Sequence, residues 1–560
     1  PEPGQCCLLL GRVGRVGEVV QRMGDGRYGN KFGCIPASPG THFQSTSLLK
    51  YGDWKSFVPI TYVGNGDKGL WFFAWSRLGW ELKDDQPMMQ IERLTNGVVR
   101  QRVRFLAGPV ELASPRTLRF AIQVAPVKPN DPRYRTRLNE AYLAHDTCGY
   151  RYYGDSVDGY ALHSDDDYAA LRKFLIYGPR YQNEESRKEY YWWRYDWFTT
   201  ASRLVLYGST WMAGSGAPEY KTFGGEWFGR SNWKPSPDTT YTAKWNYQGT
   251  VRWDTPEKLS PNGNNWTQSH TDFFVWYHKP LIEKCGINGT WWDNSSIGLI
   301  REYDPEAGRM DQKWNLYARR QLCKRLNHLG WELNRPPCWI MNMHVDMAFN
   351  QVFWMVENDW YADADDMTAL QHWTLDEYRA MCRTKSTTLI SKPWYSGFKG
   401  STPELDRKVQ RSLWGIMLSH DVWAPIEWNS PAEWRILRKK LDYLLDPGDS
   451  SRCLFTGYWA SEQAVQPAEK SIKASFYSQT SLKRAVIVLF NTDKADHYLA
   501  GTTFDVNQLV NPRVKQVARR IYDPESDKEI QTVFEGGRYR IAEPCLVGWH
   551  EPRFVVVETE

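Results

Sequence analysis

Gly289-Thr290-Trp291-Trp292-Asp293-Asn294 is the stretch whose reading decides the fold. Residues 287–292 are short, apolar and rich in β-forming side chains, and polarity returns abruptly at Asp293. Upstream, residues 272–284 (DFFVWYHKPLIEK) read as mostly helical, and Cys285-Gly286 stops them. Helix, turn, strand and acid in that order is the unit expected of a (β/α) barrel, where the carboxyl ends of strands carry the chemistry. A lone Asp at such a place also serves as a turn or cap residue. What distinguishes Asp293 is that similar strand ends follow it.

The same alternation extends from about residue 186 to 460. Residues 204–207 (LVLY) make a first strand, followed by a loop with Trp211. Residues 311–329 have helical periodicity (Trp314, Tyr317, Ala318, Leu322, Leu326) and end at Gly330. Strands are expected at 338–343 (CWIMNM), exiting to His344 and Asp346, at 352–356 (VFWMV), exiting to Glu357 and Trp360, and at 388–393, exiting to Trp394. Residues 409–418 and 432–445 read as helical, with Ser419-His420-Asp421-Val422-Trp423 and Glu427 between them.

On either side the pattern changes to β. Residues 70–75, 89–93, 98–106 and 118–124 are strand-like runs, and Thr95-Asn96-Gly97 between two of them is a hairpin signal. Ala125-Pro126-Val127-Lys128-Pro129 cannot stay in a ladder and reads as a linker. Residues 474–477, 484–490 (RAVIVLF) and 553–558 are the strands of a C-terminal β domain. The expected architecture is multidomain α/β plus β: an N-terminal β-sandwich with extended linker over 1–185, a central (β/α)8 barrel over 186–460, and a C-terminal β-sandwich over 461–560.

Charge and cysteine usage narrow the function classes. Seventy basic against 65 acidic residues leave a net charge of +5, with none of the clustered Lys and Arg that a nucleic-acid groove needs. No apolar run approaches the 18 or so residues of a membrane span. The ten cysteines show no CxxC and no Cys/His pair at zinc spacing, so neither a metal nor another cofactor is expected. The run at 7–10 is too short for a leader, and the expectation is of a processed, secreted or periplasmic chain. No GxSxG, P-loop or HExxH occurs, which removes support for acyl transfer, phosphoryl transfer and zinc proteolysis.

The 29 tryptophans point elsewhere. Indole rings fill large cores, and they also stack on the apolar faces of sugars. Successive strand ends or their loops supply Asp293, His344 with Asp346, Glu357 with Asp359, His420 with Asp421, and Glu427, and a closed barrel would bring them to one face. Acids beside aromatic rings suit acetal cleavage: one protonated carboxyl donates to the leaving oxygen while an ionised one attacks, activates water or steadies the oxocarbenium-like charge. Aromatic walls also raise a neighbouring carboxyl's pKa by desolvation. The expected catalytic pair is Asp293 and Glu357, with Asp346 and Glu427 as substitutes. Trp211, Trp291, Trp292, Asn294, His344, Trp360, Trp394, His420, Asp421 and Trp423 are expected to bind a carbohydrate substrate. A catalytically inactive barrel that binds glycans is the alternative.

The run Gly69-Leu70-Trp71-Phe72-Phe73-Ala74 with Gly79-Trp80, Ser114-Pro115-Arg116, residues 120–129 (FAIQVAPVKP), Trp292-Asp293-Asn294 and Ser419-His420-Asp421 together resemble glycoside hydrolase family 123 and its relatives. That resemblance implies the sandwich, barrel and β-domain order, and a retaining β-N-acetylgalactosaminidase using substrate assistance. The family's adjacent Asp-Glu pair orients the acetamido group and supplies the general acid. Here the matching position reads Asp293-Asn294, and the adjacent pair Asp376-Glu377 falls in a predicted helix. An ordinary two-carboxylate mechanism on another sugar fits the residues at least as well.

Overall fold

The computed structural model describes residues 7–13, 19–22, 31–45, 60–64, 69–74, 79–83, 85–111, 114–125, 165–166, 168–169, 205–209, 222–223, 268–293, 299–304, 309–314, 316–335, 337, 339–342, 355–361, 375, 379, 388–394, 402–422, 436–437, 440–441, 444–445 and 453–560. The chain divides into two compact units. The first holds Pro1–Pro129, Glu140–Glu357 and Arg383–Thr387; the second holds Asn130–Asn139, Asn358–Cys382 and Thr388–Glu560.

The first unit opens with two antiparallel sheets. One has the order Cys7–Val13, Val99–Arg104, Met89–Arg93, Gly40–Gln44; the other runs Lys31–Cys34, Val19–Arg22, Ile60–Gly64, Gly69–Ala74, Phe120–Ala125. Their inner faces meet. Gln101 Nε2 of the first sheet donates to Thr61 Oγ1 of the second at 2.6 Å, and that hydroxyl lies 3.8 Å from Met89 Sδ. Phe72, Ile91, Val99 and Val103 are fully buried around them, which is the sandwich expected from the alternating pattern. The Asn-Gly signal closes the hairpin between Met89–Arg93 and Val99–Arg104: Gly97 takes a φ of 78°, and Asn96 Oδ1 accepts from the Val98 N–H at 3.1 Å.

Beyond the sandwich comes a sheet of order Val205–Ser209, Gly289–Asp293, Ile340–Asn342, Met355–Tyr361, Thr388–Trp394, in which the strand sequence follows the chain sequence. The first three pairings are parallel. The helices Gln268–Pro280 and Leu316–Glu332 lie in the connections, as parallel neighbours require a crossover. Arg325 of the second helix pairs with Asp272 of the first. The described residues give five such strands rather than the eight of a closed barrel. The boundary between the units falls inside Met355–Tyr361, so the strand Thr388–Trp394 belongs to the second.

Two readings of the sequence are corrected. Residues 311–314 belong to the strand Arg309–Trp314, which forms a hairpin with Leu299–Asp304, and the helix begins only at Leu316. Met310 and Trp314 lie four residues apart, which fits one face of a strand as well as one face of a helix, so period 2 competed with period 3.6 and the antiparallel pairing with Leu299–Asp304 decided for the strand. Residues 357–361 lie within the strand Met355–Tyr361, not in a loop beyond it.

The second unit ends in another sandwich. A five-stranded sheet of order Leu454–Thr456, Ile472–Gln479, Arg484–Asn491, Pro552–Thr559, Ala518–Tyr522 faces a four-stranded one of order Val465–Gln466, Thr503–Phe504, Arg538–Ile541, Thr532–Glu535. Phe476, Ile487, Leu489, Val555 and Val557 pack against Phe504 and Ile541 in the core between them. Every residue of Arg484–Asn491 is buried, on both faces. The helix Pro403–Leu418 covers the outer one. At Gly415 the helix comes so close that a Cβ there would lie 2.3 Å from Phe490 Cδ2 and 3.1 Å from Pro552 Cδ. The helix carbonyls at its end are received by the sheet: Tyr477 Oη donates to Leu418 O, and Ser475 Oγ to Ser419 O, both at 2.8 Å. Such partners satisfy acceptors that a helix terminus leaves open.

Gly415→Val is therefore expected to overpack this contact and destabilise the fold by about 1–3 kcal/mol, read as a lower urea midpoint at unchanged m-value. A midpoint equal to that of the parent chain would mean that helix and sheet do not meet at this residue.

Candidate active site

The strand Gly289–Asp293 is held in place by a buried imidazole from the helix before it. That helix, Gln268–Pro280, continues through one π-helical turn, Leu281–Cys285, and ends at Gly286 with a φ of 75°, a left-handed C-cap that glycine adopts without strain. Its inward residues Phe274, Tyr277, His278, Leu281 and Ile282 are all fully buried. His278 Nδ1 lies 2.8 Å from the carbonyl of Phe274, and Nε2 lies 2.9 Å from Thr290 Oγ1. A carbonyl only accepts, so the single N–H of neutral imidazole is on Nδ1; Nε2 then accepts from the Thr290 hydroxyl. Phe274 stacks on the ring at 5.6 Å and Trp339 meets it edge-on at 5.5 Å. Burial pushes the His278 pKa down to about 4, against a smaller opposing effect of the Phe274 carbonyl. Thr290 is three residues before Asp293.

From this anchor the parallel register fixes the strand ends. Tyr207, Trp291, Ile340 and Met355 form one row across the sheet, and Gly208, Trp292, Met341 and Val356 the next. One residue further on, Ser209 pairs with Asp293 and Asn342 pairs with Glu357. Asp293 and Glu357 thus occupy the same row, on the two strands that flank Ile340–Asn342. Two interstrand spacings put their Cα atoms about 9–10 Å apart. Ser209, Asp293 and Asn342 are the last residues of their strands, and Glu357 is the third of seven in its own. The backbone positions of Trp291 and Trp292 lie in the two rows before Asp293, Trp360 lies in the strand Met355–Tyr361, and Trp394 ends the strand Thr388–Trp394.

His420 and Asp421 belong to the second unit. They follow the C-terminus of the helix Pro403–Leu418 rather than a strand. His420 is 1% exposed, its Nδ1 is 2.6 Å from Ile416 O, and its ring lies 5.4 Å from Tyr458 and 5.8 Å from Trp459. Arg379 lies over the far side of this cluster, 4.5 Å from the Trp459 ring centre. The helix end and the rings of Tyr458 and Trp459 close around His420. Asp421 takes a left-handed φ of 61°, a conformation that Asp tolerates in turns. Trp211, Asn294, His344, Asp346, Trp423 and Glu427 lie outside the described residues.

Sequence reading missed His278 and Thr290. A signal exists: His278 follows Phe274 by one helical turn on the apolar face, and a polar residue there needs buried partners. Among the described residues no group of three His, Cys, Asp or Glu is placed to hold a metal ion, and no helix is long and apolar enough to cross a membrane.

The pKa of His278 gives a pH signature. The unfolded chain takes up the proton below about 6.5 while the fold resists it until about 4, so folding stability is complete above the upper value and declines as pH falls through this window. The shift amounts to about 3 kcal/mol. Urea unfolding of the parent chain and of His278→Leu between pH 7 and 4 is expected to show a shallower loss in the variant. Parallel curves would mean that the imidazole is not buried.

No protein-family model matches the chain, and no curated protein matches its sequence. Among solved structures, similarity is found to a noncanonic maltogenic α-amylase from Thermotoga neapolitana, at 11% identity and a TM-score of 0.38 over 67% of this chain and 81% of that one. A family 36 α-galactosidase from Geobacillus stearothermophilus, in complex with raffinose, has 9% identity and a TM-score of 0.40 over 99% of this chain and 76% of that one. The galactosidase domain of an α-galactosidase-sucrose kinase has 9% identity and a TM-score of 0.41, over 99% and 75% respectively.

Proposed function

We propose that the chain is a glycoside hydrolase that cleaves a polysaccharide or its oligosaccharides with the carboxyl groups of Asp293 and Glu357. The observation that carries this reading is the register: two acids far apart in sequence share one row of a parallel sheet, with one strand between them. Acetal cleavage needs two carboxyl groups on either side of the bond, one protonated and one ionised. A row with a single intervening strand offers that separation, with Trp291 and Trp292 beside Asp293 in sequence as the candidate sugar contacts. Asp346 and Glu427 stand as the substitutes within the same reading, and Trp211, Trp360, Trp394 and Trp423 as further sugar contacts.

Asn294, where the family 123 pattern has Glu, favours a second reading in which the sheet end binds glycans without cleaving them. It also directs the enzyme reading to an ordinary two-carboxylate mechanism rather than acetamido assistance. Asp293→Asn and Glu357→Gln, assayed for reducing ends released from a polysaccharide panel, are each expected to lose at least about a hundredfold in rate, the scale of general acid–base catalysis, with melting temperatures unchanged. Activity within tenfold of the parent in both variants removes the pair from the chemistry. Binding of a glycan with no release by the parent chain itself supports the non-hydrolytic reading.

A further inference from the structure

A cleft lies wholly within the second unit, against the N-terminal half of the helix Pro403–Leu418, and has a volume of about 890 Å³. This is within the roughly 300–1,000 Å³ typical of small-molecule sites. Glu404, Arg407, Lys408 and Arg411 line it, and their spacing puts them on one face of the helix. The C-terminal domain supplies the opposite side.

Most of the charges deep in the cleft are matched in pairs. Arg411 holds Glu525 through two bonds, Nη1 to Oε2 at 2.9 Å and Nη2 to Oε1 at 2.6 Å, while its Nε is 3.0 Å from Glu551 Oε2. Glu551 also takes Lys408 Nζ at 3.2 Å. On another wall Arg553 reaches Asp523 at 2.8 Å and Lys440 reaches Asp527 at 2.5 Å. A charged ligand would have to break one of these pairs and leave its partner half-buried, which is unfavourable. Burial lowers the Lys408 pKa, ahead of the raising effect of Glu551.

Apolar surface stands beside these polar groups. Leu546 and Ile436 are 47% and 60% exposed at the cleft. The Trp549 indole is fixed there by Lys408 Nζ, 3.9 Å from its centre, and by its own N–H backbone bond to Asp496 Oδ1 at 2.8 Å. Fixed donors and acceptors beside an indole and aliphatic carbons match a ligand that has both hydroxyl groups and apolar C–H faces, and no charge.

We infer that this cleft is a second carbohydrate site, which takes a short neutral oligosaccharide away from the sheet-end acids. The inference deepens the proposed function, on which its choice of ligand class partly rests. Isothermal titration of the full chain with maltotriose, cellotriose, chitotriose and raffinose, and with trigalacturonic acid as the anionic probe, tests it. The Asp293→Asn/Glu357→Gln chain is expected to bind at least one neutral probe as the parent does, and Trp549→Ala to weaken that binding at least tenfold. If Trp549→Ala does not fold, Leu546→Glu, at an exposed rim position, is expected to give the same loss. The inference is overturned if no neutral probe binds, if the rim variants leave affinity intact, or if trigalacturonic acid binds more tightly at the same residues. Binding lost in Asp293→Asn/Glu357→Gln but kept in Trp549→Ala overturns it as well and leaves the sheet-end reading standing. Rim-sensitive binding with no hydrolysis by the parent supports this site and counts against catalysis.

Discussion

A neutral imidazole in a dry helix–strand seam fixes the part of the first unit on which the functional reading depends. His278 is tied at one nitrogen to its own helix and at the other to Thr290. Neither bond is strong in net terms, about 1 kcal/mol each, but a helix that slid or turned would leave an imidazole and a hydroxyl buried without partners. That penalty sets the register of helix on strand. The strand's parallel partners then carry the register across to Asn342 and Glu357. The placing of two acids in one row is thus a consequence of packing several residues below them.

The second unit solves a related problem by different means. Its central strand Arg484–Asn491 is buried on both faces, which requires a cover for the side away from the sandwich core. The helix Pro403–Leu418 is that cover, and close approach at Gly415 replaces the polar lock of the first unit. Side-chain hydroxyls of the sheet then cap the helix end. His420, directly beyond, is packed into this junction against Tyr458 and Trp459. The ion pairs of Arg411 with Glu525 and Glu551 tie the same helix to the loops of the sandwich at its outer edge.

Elements with a single strong period were legible. RAVIVLF predicts the strand Arg484–Asn491, MQIER the strand Met89–Arg93, and the helix–Gly286–strand order before Asp293 is as the sequence reads. Legibility failed where two periods overlapped, as at 311–314, and where a polar run such as 357–361 is itself a strand, since the strand's polarity reports its surroundings and not its backbone. Asp293 was readable as a strand end because polarity returns after an apolar run, whereas the strand of Glu357 runs on to Tyr361. The residues that hold the strand of Asp293 were not readable, because a buried histidine and a threonine become partners only through the crossover that brings residue 278 beside residue 290. Nothing local in sequence marks the cleft at Trp549, whose walls come from segments more than a hundred residues apart.

The proposed function rests on one claim: the row Asp293, Asn342, Glu357 is where a glycosidic bond is held. The most direct measurement is a crystal structure of the Asp293→Asn chain with an oligosaccharide bound. The account predicts that a glycosidic oxygen lies between residues 293 and 357, with their Cα atoms about two strand spacings apart. A sugar chain seated with no atom near this row, or the two residues found in different rows of the sheet, would contradict it.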